Sequence, residues 1–66
     1  MNLDDRLYCL QHTNLPQDLV QQVVEADWLY LQDKDGEATA IVSRVEAECK
    51  NRGIEIHKPE FGFGGF

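Results

Sequence analysis

The sequence predicts an all-α fold: a small three-helix domain whose last two helices form an αα-hairpin, followed by an extended C-terminal tail. Three observations carry this reading. Apolar residues recur at helical spacing in three separate stretches. Residues suited to helix ends bracket those stretches. The last eight residues, Pro59 to Phe66, combine a proline with glycines at 62, 64 and 65, a composition that does not sustain a helix. The division is therefore residues 1–58 as the helical domain and 59–66 as a Gly/Phe-rich tail.

The first helix is expected over 2–12. Leu3, Leu7 and Leu10 fall on one face, and Asn2 suits the cap, with Asp4 and Asp5 favourable in the first turn. Thr13-Asn14 breaks the pattern. The second helix is expected from Leu15, with Asn14 as cap, Pro16 in the first turn and Gln17 three residues after the cap. Leu15, Leu19, Val20, Val23 and Val24 form a broad apolar stripe, with Gln17, Gln21, Gln22 and Glu25 facing away. Through Ala26 the pattern is clear. Beyond it, Asp27 falls inside the apolar arc of a continued helix and Leu29 on its polar side. Burying an unpaired carboxylate is costly, so either the helix stops near Asp27 or this part carries apolar surface on two sides. An α+β alternative pairs Trp28–Gln32 with Glu37–Val42 as a β-hairpin across Asp33-Lys34-Asp35-Gly36, since Asp-Gly is a turn signal.

Residues 37–52 favour the helical answer. Ala38, Ile41, Val42, Val45 and Cys49 share one narrow helical stripe and fit strand alternation poorly. Gly53 follows Lys50 and Arg52, as a helix stop does. The polar stretch Asp33–Gly36 then joins the hairpin. Ile54-Glu55-Ile56-His57 alternates like a short extended segment.

A chain of 66 residues is one domain, and at that size folding buries only about 60% of the unfolded surface. Such domains rely on a disulfide, a metal or a partner chain. The stretch Asn2–Arg6 is acidic and does not read as a signal peptide. The longest apolar run, Trp28 to Leu31, is too short to span a membrane. A cytoplasmic location with reduced thiols is expected, which disfavours a Cys9–Cys49 bridge. Twelve acids against six bases give a net charge of −6, opposite to what phosphate binding needs, so no direct nucleic-acid binding is expected. Arg44, Lys50 and Arg52 lie close together but are interleaved with Glu46 and Glu48.

Chemistry finds little support. Cys9-x-x-His12 with Cys49 and His57 has zinc-type ligands but no Cys-x-x-Cys knuckle. Cys9 and His12 are expected on the side of the first helix opposite its leucines, with Cys49 in the core stripe of the third. The same residues are accounted for by a buried Cys49, an exposed Cys9 and two surface histidines, so no metal and no cofactor are predicted. A calcium loop placing Gly36 sixth would put Leu31 first and Val42 twelfth, where oxygen ligands belong. No nucleophile motif surrounds Thr13, Thr39, Ser43, Tyr8 or Tyr30, and no enzyme is predicted.

What remains is binding. Trp28, Leu29 and Tyr30 on the second helix, and Phe61, Phe63 and Phe66 in the tail, are the expected partner-binding residues, because exposed aromatic side chains anchor interfaces. The expected function is a non-catalytic protein–protein interaction module, docking on a protein partner or on a second copy of itself. One alternative is a small inhibitor, of the kind phages encode against nucleic-acid-binding machinery, presenting Asp18, Glu25, Asp33, Asp35 and Glu37 to a basic site. Another is a peptide precursor, with residues 1–58 as a recognition leader and the glycine-rich end as the segment modified.

Overall fold

A computed structural model describes residues 2–58 as three α-helices: α1 (Leu3–Gln11), α2 (Gln17–Leu31) and α3 (Asp35–Arg52). The fold is all-α. Among the described residues there is no strand, so the hairpin alternative at 28–42 is replaced by helix, turn and helix. The tail predicted at 59–66 lies outside the described residues.

α1 begins where its cap dictates: Asn2 is extended, and its Oδ1 accepts the Asp5 N–H at 2.9 Å. α2 begins two residues later than its pattern suggests. Pro16, not Asn14, is the N-cap, with extended backbone at φ −60 and ψ 156 and a carbonyl that accepts the Leu19 and Val20 N–H groups. The helix then runs past Asp27 to Leu31. The objection to Asp27 dissolves because its side chain is only half-buried, at the edge of the core stripe.

The α2–α3 connection is shorter than Asp33–Gly36. Asp35 and Gly36 already belong to the first turn of α3, where a methyl group on Gly36 would meet nothing within 4 Å. The left-handed residue is Asp33 at φ 62, a conformation that aspartate tolerates. Its N–H reaches the Tyr30 carbonyl at 3.1 Å and the Lys34 N–H reaches Leu29 at 3.0 Å, the double bond of a Schellman ending. α3 ends the same way. Gly53 sits at φ 72, its N–H on Lys50 and the Ile54 N–H on Cys49 at 2.8 Å. Gly53→Ala forces a side chain into left-handed backbone, and about 1 kcal/mol of lost stability in chemical denaturation is the expected result. A change below about 0.3 kcal/mol would show that the 53–54 turn contributes little to the fold.

The hairpin of α2 and α3 is the body of the domain, and α1 lies against both helices. Leu7 and Leu10 of α1, Leu19, Val23 and Ala26 of α2, and Val42, Val45 and Cys49 of α3 form the core. Ala38 is also fully buried. Leu3, Leu15, Tyr30, Ile41, Ile54 and Ile56 pack around that centre. Ion pairs bind the helices at the edges. Arg6 of α1 reaches Glu46 of α3 at 2.6 Å, and Arg52 joins Asp18 of α2 at 2.8 Å and Glu48 at 2.9 Å.

Candidate functional site

The side chains with reactive chemistry are mostly absorbed by the fold. Cys9 and Cys49 are free thiols and both are buried. Burial pushes the Cys49 thiol above its ordinary range, which keeps it protonated and a poor nucleophile. Cys9 is the correction: the helical pattern alone puts it on the outer side of α1. The segment after Gly53 folds back to the C-terminal end of α1. The His57 N–H donates to Thr13 Oγ1 at 2.8 Å, and the Thr13 hydroxyl donates to the Cys9 carbonyl at 2.7 Å. The alternation of Ile54 and Ile56 against Glu55 and His57 now has its cause, since the isoleucines face the core.

This return brings two distant histidines together. The His12 and His57 rings lie 6.3 Å apart, and Tyr8 packs against His12 at a 45° tilt with 4.2 Å between ring centroids. They border an open hollow of about 820 Å³ shared with Thr13, Glu46, Lys50 and Lys58. The lining mixes both charge signs. Among the described residues that line it, the one hydroxyl, that of Thr13, is committed to the two backbone bonds. Among the described residues, no three His, Cys, Asp or Glu side chains gather into a group able to hold a metal ion.

The five candidate acids do not form one surface. Asp18 is at the start of α2, about 20 Å along the helix from Asp33. Arg52 engages it with two hydrogen bonds, and these chiefly hold its carboxyl below the usual range. The same contact, with that to Glu48, pushes the Arg52 guanidinium further up. Asp33, Asp35 and Glu37 gather at the α2–α3 turn, and Glu25 stands exposed between the two ends.

The aromatic candidates separate as well. Tyr30 packs against the core and Leu29 is half-buried, whereas Trp28 is 61% exposed. Trp28 does not stand alone. Val20 at 36%, Val24 at 62% and Leu31 at 73% are exposed on the same helix. Projected around α2, these four form a second stripe roughly 120° from the core stripe of Leu19, Val23, Ala26 and Tyr30. Gln21, Glu25 and Gln32 border the ridge on one side, Asp27 on the other, and Gln17 at its N-terminal end, so an acid flanks Trp28 on each side. Beside its valine end lies an apolar hollow of about 190 Å³, lined by Leu10, Leu15, Val20, Val23 and Val24 with Gln11 and Thr13. The sequence carried this signal. Its pattern groups Val20 and Val24 with Leu19 and Val23 as one wide stripe, and only the placement of α1 shows which half is covered. Among the described residues, no helix is long and apolar enough to cross a membrane. No family model matches this chain, and neither a curated protein nor a solved structure matches it.

Proposed function

We propose that this chain is a non-catalytic protein–protein interaction module whose contact surface centres on Trp28 of α2. The observation that supports it is the uncovered ridge of Val20, Val24, Trp28 and Leu31. Exposed apolar residues scattered singly need no explanation, but four in line on one helix are an interaction surface in the making. Trp28 is the natural anchor: it offers a large apolar area at low entropic cost and an indole N–H for a polar partner. Leu29 and Tyr30, more deeply set, are proposed as less exposed neighbours at its margin. Phe61, Phe63 and Phe66 are proposed as a second apolar element of the same module, and the cytoplasm as its setting.

The test compares immobilised full-length chain with its Trp28→Ser variant in capture from native cells. Loss of 2 kcal/mol or more, about 30-fold in affinity, is expected for an anchor of this kind, with helical content and melting unchanged. Binding at the ridge also survives about 0.5 M salt, because little of it is charge. Capture that persists in the variant, or that salt abolishes while Trp28→Ser does not, would replace this reading with one built on the acidic turn.

A further inference from the structure

Resting on that reading, we infer that the partner on the α2 ridge is a basic amphipathic helix. Its apolar stripe lies on Val20, Val24, Trp28 and Leu31, and lysines or arginines beside that stripe meet Glu25 and Asp27. Charge placement selects this occupant. Trp28 stands between exposed Glu25, one turn before it, and half-buried Asp27 on the other side of the ridge. Asp33, Asp35 and Glu37 follow just beyond Leu31, where α2 ends. Residues 25–37 set these five acids against one base, Lys34, and so carry −4 of the chain's net −6. Elsewhere the arginines neutralise acids within the fold: Arg6 engages Glu46, and Arg52 engages Asp18 and Glu48. Among the described residues, no ion pair engages any of the five. The negative end of the α2 dipole lies at the same place. An apolar ridge framed by unpaired carboxylates repels a copy of this chain and attracts a cationic partner.

Shape and size narrow the partner to a helix. Val20, Val24, Trp28 and Leu31 are spaced 4, 4 and 3 residues apart, so the stripe runs 11 residues in three turns and stays on one line of a nearly straight helix. Its length of about 16 Å matches three turns of a partner helix with apolar residues at i, i+3 or i+4, and i+7. At the exposures observed, the four side chains present on the order of 400 Å², about half of the roughly 800 Å² that each partner gives to a standard interface. One face of a short helix fills such a patch, whereas a folded domain needs more. The 190 Å³ hollow at the valine end admits one apolar side chain of that helix. An apolar cavity of about 150 Å³ accepts a benzene ring, so a leucine fits here. The two ends of the ridge then differ in what they take. The valine end is edged by the amides Gln17 and Gln21 and receives apolar groups, and the Trp28 end receives the cations. A lysine or arginine stem covers the indole while its charge reaches Glu25 or Asp27. These rim pairs face water, so they orient and speed docking more than they hold it.

Trp28 is the only tryptophan of the chain, so its emission reports on the ridge directly. The full chain is titrated with three synthetic peptides of about 18 residues that contain no aromatic residue. One has leucines at helical spacing and lysines elsewhere, the second keeps the leucines with glutamates, and the third keeps the lysines with serines. The Leu/Lys peptide is expected to give a saturating blue shift of Trp28, and the other two to bind at least about tenfold more weakly. Glu25→Gln with Asp27→Asn weakens the Leu/Lys peptide about fivefold at unchanged helicity. Glu48→Gln with Glu55→Gln makes the same change in charge away from the ridge and alters binding by less than about twofold. Salt at about 0.5 M lowers wild-type affinity by a similar fivefold without abolishing it. Equal binding of the Leu/Lys and Leu/Glu peptides overturns the inference. So does a 25/27 variant no weaker than the 48/55 variant, or a Leu/Lys peptide that fails to saturate by about 1 mM. Two other occupants show themselves in the chain alone, and either overturns it. A second copy gives a dimer in sedimentation equilibrium that Trp28→Ser dissociates, and the tail gives a red shift of Trp28 in the triple variant Phe61→Ser, Phe63→Ser, Phe66→Ser. If the charge preference fails but Trp28→Ser still abolishes capture from native cells, the basic helix is refuted and the interaction module stands. If neither peptide binding nor capture depends on Trp28, both fall.

Discussion

Leu19→Ala is expected to remove about 3 kcal/mol of stability, whereas Val24→Ala, five residues along the same helix, changes it by less than about 0.5 kcal/mol. Both positions are apolar and both lie in one predicted stripe. Leu19 is 1% exposed and belongs to the cluster formed with Leu7, Leu10, Val42, Val45 and Cys49. Its truncation loses the transfer energy of the removed carbons and leaves a cavity that helices on two sides cannot fully collapse. Val24 is 62% exposed, so its methyl groups already meet water. At about 0.05–0.15 kcal/mol per residue, a chain of 66 residues has roughly 3–10 kcal/mol in total. Leu19→Ala therefore consumes a third or more of it, and a melting temperature lower by about 12–24 °C follows. Urea denaturation measures both variants. A Leu19→Ala loss under 1 kcal/mol would mean that the core does not close on the first stripe of α2.

The contrast between those two residues also marks how far the sequence can be read. α3 is legible because its stripe is narrow. Ala38, Val42, Val45 and Cys49 are all fully buried, and Ile41 packs at their edge. α1 is legible at its start, where Asn2 caps as its chemistry suggests. The burial of Cys9 is not, because it depends on how α1 packs and on chain that returns to Thr13 from more than forty residues later, and one helix's periodicity says nothing about either. α2 is legible as a helix and illegible as a surface. A stripe that spans Leu19 to Val24 on a wheel does not say whether a neighbouring helix covers all of it. α1 has nine residues, and it covers the Leu19–Val23 side only. The turn misleads for a related reason. Asp35-Gly36 has the composition of a hairpin turn, but the packing of Ala38 and Val42 sets α3 so that it has already begun there. Asp33 then takes the left-handed position that glycine usually fills. The candidate site inherits both effects. Trp28 stands out by its type, and the company of Val20, Val24 and Leu31 that makes it a surface emerges only with the third dimension.

A double-mutant cycle on Arg6 and Glu46 is expected to give a coupling of about 1–2 kcal/mol, above the range of ordinary surface pairs. α1 is short, and helices under about 12 residues are marginal in water, so it is helical because it is docked. Leu3, Leu7 and Leu10 supply the adhesion, but apolar contact is non-directional and does not fix how α1 is rotated. Arg6 does. Its Nε donates to Glu46 Oε2 at 3.1 Å and its Nη2 to Oε1 at 2.6 Å, a fork on one carboxylate, with Ser43 Oγ accepting a further bond at 3.1 Å. The hydrogen bond to Glu46 is the main reason the Arg6 guanidinium is held above its ordinary range. Both side chains are part-buried, 24% and 33% exposed, so water screens the pair less than it screens Arg52 with Asp18. Arg6→Lys cannot reproduce the fork and is expected to recover less than half of the coupling. A rotated α1 would change which side of α2 it covers, so the pair reaches the ridge as well: Arg6→Ala should alter the exposure of Trp28, read as a shift in its fluorescence. A coupling below about 0.3 kcal/mol with unchanged Trp28 emission would show that the leucines alone set the helix in place.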